Sequence, residues 1–195
     1  MAPIEDYGLI GDTQTAGLIS KDGSLDWLCF PRFDSGACFA ALLGLPSHGR
    51  WRITTGADVR KVSRRYRGPS LILETEFTTD SGTVRLIDFM PIRGTTPDVV
   101  RIVEGVTGEV AMQMELIVRF DYGSIIPWVR RVDDLWTATA GPDSLSLKTP
   151  VDLQGVNFAT RADFTVRPAN STSWIGKRRC RNFKTVHFSS FGAAA

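Results

Sequence analysis

Residues 4–43 read IEDYGLIGDTQTAGLISKDGSLDWLCFPRFDSGACFAALL and hold the densest mixture of local chemistry in the chain. Two apolar runs, 15–20 and 25–30, flank residues 21–24, a turn cluster whose glycine tolerates a positive φ. This arrangement predicts a β-hairpin. Its second strand runs into Pro31, which has no backbone donor, and the Asp, Ser and Gly that follow favour a turn. The strand is therefore expected to end there and to present a loop.

That loop is the main candidate for a functional site. Arg32, Phe33 and Asp34 place a cation, an aromatic ring and a carboxylate side by side, and Ser35 follows them. A short apolar run over 38–43 has the character of a helical turn. From the residues alone, the loop is either a binding site or a docking edge.

Beyond residue 70, apolar and polar residues alternate in short segments separated by turn residues. The clearest run is 110–120, where every second residue is Val, Met, Leu or Phe, whereas Gln113, Glu115 and Arg119 point the other way. Strands are predicted over residues 15–20, 25–30, 71–79, 83–90, 99–106, 110–120, 128–132, 135–140, 144–149 and 156–167. About ten evenly spaced strands with almost no helical periodicity predict an all-β fold, an antiparallel two-sheet β-sandwich.

Length and composition exclude several classes of protein. A chain of 195 residues has room for one ordinary domain, and 43% hydrophobic with 23% charged residues is typical of a globular protein. No run reaches the length needed to cross a bilayer, and the first residues lack the basic and apolar regions of a secretory signal. We therefore expect a cytoplasmic protein with no membrane partner. The three cysteines and two histidines are scattered, so we expect no metal and no cofactor.

Three motifs in the opening stretch resemble one known family. They are DYGLIGD at 6–12, KDGSLDWLCFPRFDS at 21–35 and FAALLG at 39–44. They are similar to the N-terminal domain of bacterial and archaeal enzymes of glycoside hydrolase family 15, the trehalase and glucoamylase group, and the likeness continues more loosely to about residue 166. The resemblance implies a β-sandwich followed by an (α/α)6 barrel that carries two catalytic glutamates. That barrel is not in this chain.

The resemblance also implies a role for the opening loop. In that family the N-terminal domain packs against the barrel near its active-site mouth, which implies a substrate-rim or interdomain docking role for Trp27, Arg32, Phe33, Asp34 and Ser35. Sugar recognition commonly combines aromatic rings with charged groups that bind hydroxyls, so a stand-alone module that binds α-glucosides or docks a protein is the alternative. A purely structural explanation also stays open, with Trp27 in the core and Arg32 pairing with Asp34 to fix the turn.

No residue of the chain is predicted to be catalytic. Glycoside hydrolysis needs two carboxyl groups placed across a sugar, one of them with a raised pKa. Glu74 and Glu76 share the polar face of one strand, and Asp133 and Asp134 lie in a turn, so we expect all four to be solvated surface carboxylates. The enzyme family is a hydrolase, but this chain alone is expected to be inactive.

Alternation ends at residue 167, and residues 168–195 form a segment of different character. They contain five basic residues and no acid, so the body is mildly acidic and the tail basic. We expect a sandwich over 1–167 and an irregular, disordered tail over 168–195. We attribute the tail to a truncated or frame-shifted gene. Translating the downstream coding DNA in the other two reading frames would test this explanation. Aromatic residues among the cations leave a nucleic-acid arm as a less favoured alternative, and we expect no nucleic-acid partner.

Overall fold

The computed structural model describes residues 2–168 and 171–179. Within them, regular structure consists of sixteen β-strands and three short 3₁₀ turns, Ile4–Asp6, Ala41–Leu43 and Pro46–His48. The strands are β1 (Tyr7–Gly11), β2 (Ala16–Ser20), β3 (Ser24–Cys29), β4 (Ala37–Phe39), β5 (Arg50–Thr55), β6 (Lys61–Tyr66), β7 (Leu73–Thr79), β8 (Gly82–Phe89), β9 (Asp98–Gly108), β10 (Val110–Ile117), β11 (Trp128–Val132), β12 (Leu135–Ala140), β13 (Asp143–Lys148), β14 (Gln154–Val156), β15 (Ala159–Val166) and β16 (Ser171–Arg179).

The strands form two antiparallel sheets. Sheet A has the order β1-β2-β3-β5-β10-β15-β14, with β4 paired to β3 beside this path. Sheet B has the order β11-β12-β13-β16-β9-β8-β7-β6. The predicted all-β, two-sheet sandwich is confirmed. None of the helical turns of the described residues has the length and apolar character required to cross a membrane.

The two sheets close on one hydrophobic core. Val110, Met112, Met114 and Leu116 of β10 are buried, as the alternation predicted. They belong to the same cluster as side chains of sheet B, among them Phe77. Full burial of a large apolar side chain stabilises a fold by about 1.5–3 kcal/mol, so this inner layer is the main source of stability.

The predicted hairpin is formed by β2 and β3. Gly23 in its turn has a φ of +83°, and an added Cβ would lie only 2.1 Å from the carbonyl oxygen of Ile53. Only glycine fits this position without displacing β5. The turn is therefore held against the centre of sheet A.

The predicted boundary at residue 167 is wrong for part of the tail. Residues 171–179 form β16, which lies between β9 and β13 in sheet B, so the sandwich extends at least to Arg179. Alternation is weak here because β16 uses Gly176 at a buried position, where an added Cβ would lie 3.1 Å from the ring of Trp51. The rest of the predicted tail, 180–195, lies outside the described residues.

Candidate docking surface

One end of the sandwich gathers the turns that follow β3 and β10. The pairing of Ile117 with Arg50 places the end of β10 beside the start of β5. At the same end, an ion pair of 2.7 Å joins Asp12, which follows β1 of sheet A, to Arg93 in the segment after β8 of sheet B. We call this the loop end, and it consists of the segments 12–15, 31–36, 43–49, 90–97, 118–129 and 157–158.

The predicted loop at 31–36 is a hydrogen-bonded turn. Nε of Arg32 lies 3.0 Å from the Asp34 carboxylate, the backbone amide of Arg32 donates to Oγ of Ser35 at 3.2 Å, and the amide of Phe33 donates to the carbonyl of Gln14 at 3.0 Å. Both charged side chains are exposed, and the hydrogen bond from Arg32 lowers the pKa of Asp34. The Phe33 ring is 63% exposed. The turn is thus ordered by hydrogen bonds within it and to Gln14, while Phe33 is exposed.

Trp27 lies apart from this turn, on the outer face of β3. Its half-buried ring packs against a small cluster of Cys29, Ala37 and Ala40 instead of the main core. The Tyr122 ring lies 6.0 Å away, tilted by 39°. Arg32, Phe33, Asp34 and Ser35 are therefore brought together as predicted from their adjacency, whereas Trp27 belongs to a neighbouring aromatic pair.

Large apolar side chains are exposed over much of the loop end. They come from five different segments, which no single sequence pattern links. These residues are Phe33, Leu43, Leu45, Ile92, Tyr122, Ile125, Ile126, Trp128, Val129 and Phe158. One sequence feature could have indicated this surface. The run Ile125-Ile126-Pro127-Trp128 is apolar but does not alternate with polar residues, so it does not fit a half-buried strand.

Two of the exposed aromatic residues adopt an unfavourable backbone conformation. Tyr122 has a φ of +58° and Phe158 a φ of +59°, and each follows another residue with a positive φ. Bulky residues rarely enter this left-handed region, since their Cβ crowds the backbone. Backbone strain of this kind accumulates at functional surfaces.

Arg119 lies beneath this aromatic surface. The alternation predicted that it would point to solvent, but it is only 9% exposed. Nη1 donates to the carbonyl oxygens of Val118, at 2.7 Å, and Phe158, at 3.3 Å. The expectation is wrong because the segments 44–49 and 157–158 cover this face of sheet A where β10 ends: a Cβ added at Gly49 would lie 3.3 Å from Cβ of Arg119.

Comparison with known proteins places the fold in a family. The family model described as "Trehalase-like, N-terminal" matches residues 1–184. The chain belongs to the trehalase-like N-terminal domain family. It is 35% identical to Trehalase 1 of Sulfolobus acidocaldarius over 69% of this chain and 23% of the relative, and 28% identical to the trehalase of Thermoplasma volcanium over 88% of this chain and 28% of the relative. This domain thus spans less than a third of the length of these relatives.

The carboxylates that were considered as an acid pair are engaged by arginines. Glu74 was expected to be solvated, but its side chain is only 4% exposed and accepts hydrogen bonds from Arg65 and Arg67 at 2.8 and 2.7 Å. Burial acts to raise the pKa of Glu74, but the two arginines outweigh it and hold the pKa below its ordinary value. Glu76 accepts from Arg85 at 2.7 Å. The expectation of a solvated carboxylate is wrong for Glu74, because alternation in the sequence does not show that arginines of the neighbouring segment cover its side chain.

A fully buried ion pair within sheet B of the trehalase-like domain contacts sheet A through its arginine. Asp88 and Arg101 are both 0% exposed, and Nε of Arg101 donates to the carboxylate at 2.8 Å. The guanidinium also donates to the carbonyls of Trp51 and Gly23 in sheet A, and lies 5.2 Å from the Trp51 ring. This network fixes sheet B against the hairpin turn. It is enclosed in protein and offers no access to a substrate.

Neither histidine nor cysteine chemistry provides a further site within the described part of the chain. No group of three or more His, Cys, Asp or Glu residues there is arranged to hold a metal ion. Cys29 and Cys38 are buried, and Sγ of Cys38 donates to the Leu28 carbonyl at 3.3 Å. Cys180 lies outside the described residues. The loop end is therefore the best candidate for a functional surface.

Proposed function

We propose that this chain is the non-catalytic N-terminal β-sandwich of a trehalase- or glucoamylase-like glycoside hydrolase of family 15. Such an enzyme hydrolyses α-glucosidic bonds in carbohydrate metabolism. The sandwich packs against a catalytic (α/α)6 barrel outside this chain and shapes the mouth of its active site. The observation that carries the proposal is an apolar loop end on a domain that covers less than a third of the trehalases it resembles. A cytoplasmic location is part of the same proposal.

The composition of the loop end supports docking. Exposed apolar groups from several segments mark a surface that is covered in the functional protein. Arg32, Asp34 and Ser35 lie beside the exposed Phe33 ring, which corresponds to the polar rim around an apolar interface core. In this proposal Arg32, Phe33, Asp34 and Ser35 have a docking role, and Trp27 packs against the Tyr122 ring.

Carboxylate chemistry supports the non-catalytic part of the proposal. A general acid needs a raised pKa and access to substrate, whereas Glu74 has a lowered pKa and Glu76 is bound by Arg85. We expect the purified chain to release no glucose from trehalose, maltose or isomaltose above a buffer blank. Turnover that disappears in Glu74→Gln would overturn this part.

Docking can be tested with a relative. The Thermoplasma volcanium trehalase is prepared without the segment that aligns with this chain, and the purified chain is added to it. We expect a complex in size-exclusion chromatography and an increase in trehalose hydrolysis. Leu43→Glu at the loop end weakens the complex, whereas the matched control Val132→Glu, exposed at the opposite end of β11, leaves it unchanged. Absence of a complex with the wild-type chain would contradict the proposal.

A carbohydrate-binding module is the second candidate. It is favoured by the exposure of four aromatic residues at the loop end, Phe33, Tyr122, Trp128 and Phe158, since sugars stack on such rings. Calorimetric titration of the chain with maltose distinguishes the two functions. Saturable heat that is lost in Trp128→Ala would favour sugar binding, and no heat would favour docking.

A further inference from the structure

Arg119 carries a buried positive charge that no carboxylate of the described residues neutralises. Its two hydrogen bonds are both donated by Nη1 to carbonyl oxygens, and burial alone lowers the pKa of its guanidinium. Nε and Nη2 make no hydrogen bond to a described residue.

Two other arginines whose side chains are at most 9% exposed are paired with carboxylates. Arg101 binds Asp88, and Arg93, whose side chain is 9% exposed, binds Asp12 at 2.7 Å. A buried charge without a partner loses hydration and gains no Coulomb energy in return, so it is unfavourable unless something else supplies the opposite charge. Arg119 departs from this rule at the loop end, where apolar side chains from several segments are exposed.

Nearby acids of the described residues are unsuited to pair with it. Glu115, four residues before Arg119, accepts hydrogen bonds from Arg50 at 2.6 Å and from Arg161 at 2.9 Å. Asp121 is exposed in the turn that follows and interacts with Ser124. The missing charge must therefore come from outside these residues.

The surroundings of Arg119 favour an apolar group that carries a carboxylate. The Phe158 carbonyl binds its guanidinium, Tyr122 follows three residues later, and both residues hold exposed rings in the strained left-handed conformation. Covering these rings would remove water from the guanidinium, and an ion pair becomes stronger as water is removed. Arginine also matches the geometry of a carboxylate with two parallel donors.

We propose that Arg119 is the anchor of the docking surface and binds a carboxylate side chain of the catalytic region when the loop end is covered. This inference rests on the proposed function and adds to it the chemical character of the partner: an acidic side chain set in an apolar surface, facing Arg119, Tyr122 and Phe158.

The first experiment measures the complex described above between this chain and the shortened Thermoplasma volcanium trehalase. Arg119→Gln keeps a side-chain donor and removes the charge, and we expect an affinity weaker by on the order of 30-fold, with partial recovery in Arg119→Lys. The control is Arg167→Gln, which removes an exposed guanidinium paired with Glu109 at the opposite end of β15 and leaves the affinity unchanged. Equal affinities for wild type and Arg119→Gln would overturn the inference while leaving the proposed function intact.

The second experiment needs no partner protein, so it decides the inference even if the wild-type chain forms no complex. The side-chain Nε resonance of Arg119 is followed by nitrogen NMR during titration with phenylacetate and with acetate. We expect a saturable shift that is larger for phenylacetate, because the aromatic surface binds its ring. No saturable shift with either carboxylate would overturn the inference.

Thermal unfolding of the isolated chain separates docking from a structural role. If Arg119 serves docking, its charge is unfavourable in the free chain, so Arg119→Met leaves the melting temperature unchanged or raises it. A marked fall in the melting temperature of Arg119→Met, together with no saturable shift of the Arg119 Nε resonance in the wild-type titration, would show that Arg119 serves the fold and not docking.

Discussion

Arg101 and Arg119 are both buried arginines of this sandwich, and they differ in where their charge is neutralised. Arg101 lies between the sheets, is bound by Asp88, and donates to carbonyls of the opposite sheet. Arg119 lies at the loop end, where its guanidinium meets only carbonyl oxygens and strained aromatic turns. We infer from this difference that the Arg101 pair completes an interior contact, whereas the guanidinium of Arg119 belongs to the proposed docking surface.

The largest effect is expected when the counter-charge of Arg101 is removed, so that Arg101 is left without a carboxylate partner, as Arg119 is among the described residues. Asp88→Asn leaves the Arg101 guanidinium fully buried without a counter-charge, and we expect the free energy of unfolding to fall by about 3–5 kcal/mol. Urea denaturation followed by tryptophan fluorescence measures the change. The control Asp80→Asn breaks an exposed pair with Arg60 and should leave the free energy of unfolding nearly unchanged, because solvent screens exposed pairs. Similar losses for the two variants would remove the distinction between buried and exposed pairs.

Glu74 tests an intermediate case, in which a buried carboxylate is held by two exposed arginines. Because the pKa of Glu74 is lowered in the folded state, its contribution is complete above the ordinary carboxyl pKa of about 4.3 and is lost as the pH falls through the folded value. Glu74→Gln should therefore cost about 2 kcal/mol near neutral pH and much less near pH 3.

The measurement for Glu74 is urea denaturation of wild type and variant across this pH range. Arg65→Gln removes one of the two donors and should give an intermediate pH dependence. A difference between wild type and Glu74→Gln that stays constant down to pH 3 would contradict the lowered pKa.

Strain beside Arg119 can be relieved without touching its charge. Phe158→Gly removes a Cβ from the left-handed region at little loss of burial, because Phe158 is 76% exposed. We expect the isolated chain to gain roughly 0.5–1 kcal/mol and its docking to weaken. Asn157→Gly in the same turn is the control, since asparagine tolerates this conformation, and it should bring no gain. Loss of stability in Phe158→Gly would show that the ring contributes to the fold.

The smallest effect is expected at the turn that first suggested a site. Arg32→Gln breaks an exposed ion pair with Asp34, so the melting temperature should stay nearly unchanged, because solvent screens exposed pairs. The affinity of Arg32→Gln for the shortened trehalase should also fall only modestly, because Arg32 lies at the rim of the docking surface. A stability loss comparable to that of Asp88→Asn would make this turn a structural element and not a rim.

Local sequence patterns predicted those parts of the fold that depend only on residues close together in the chain. The turn at 21–24 and the alternation over 110–116 were predicted because glycine at a tight turn and period-two burial are local properties. β6 was missed because it is an edge strand whose residues are mostly exposed and charged, and β16 because Gly176 replaces a large inward side chain. β5 was missed although Trp51 and Ile53 do alternate with polar residues.

The candidate surface was predicted only in part. Arg32, Phe33, Asp34 and Ser35 are adjacent in the sequence, so their proximity needed no tertiary information. Leu43, Tyr122 and Phe158 come from distant segments, and only the pairing of β3, β5, β10 and β15 brings them to one end. Arg119 was predicted to face solvent, since alternation indicates which side of a strand a residue occupies but not what covers that side.

The sequence by itself determined the all-β class, the opening hairpin and the resemblance to the trehalase-like N-terminal domain, because turn chemistry, alternation and motifs are read along the chain. Only the tertiary structure decided the assignment of strands to sheets, the place of β16 in the sandwich and which charges are buried. Burial and pairing depend on neighbours that are distant in sequence. For that reason the pairing of Arg101 and the unpaired charge of Arg119 are visible only when the two sheets and their loops are assembled.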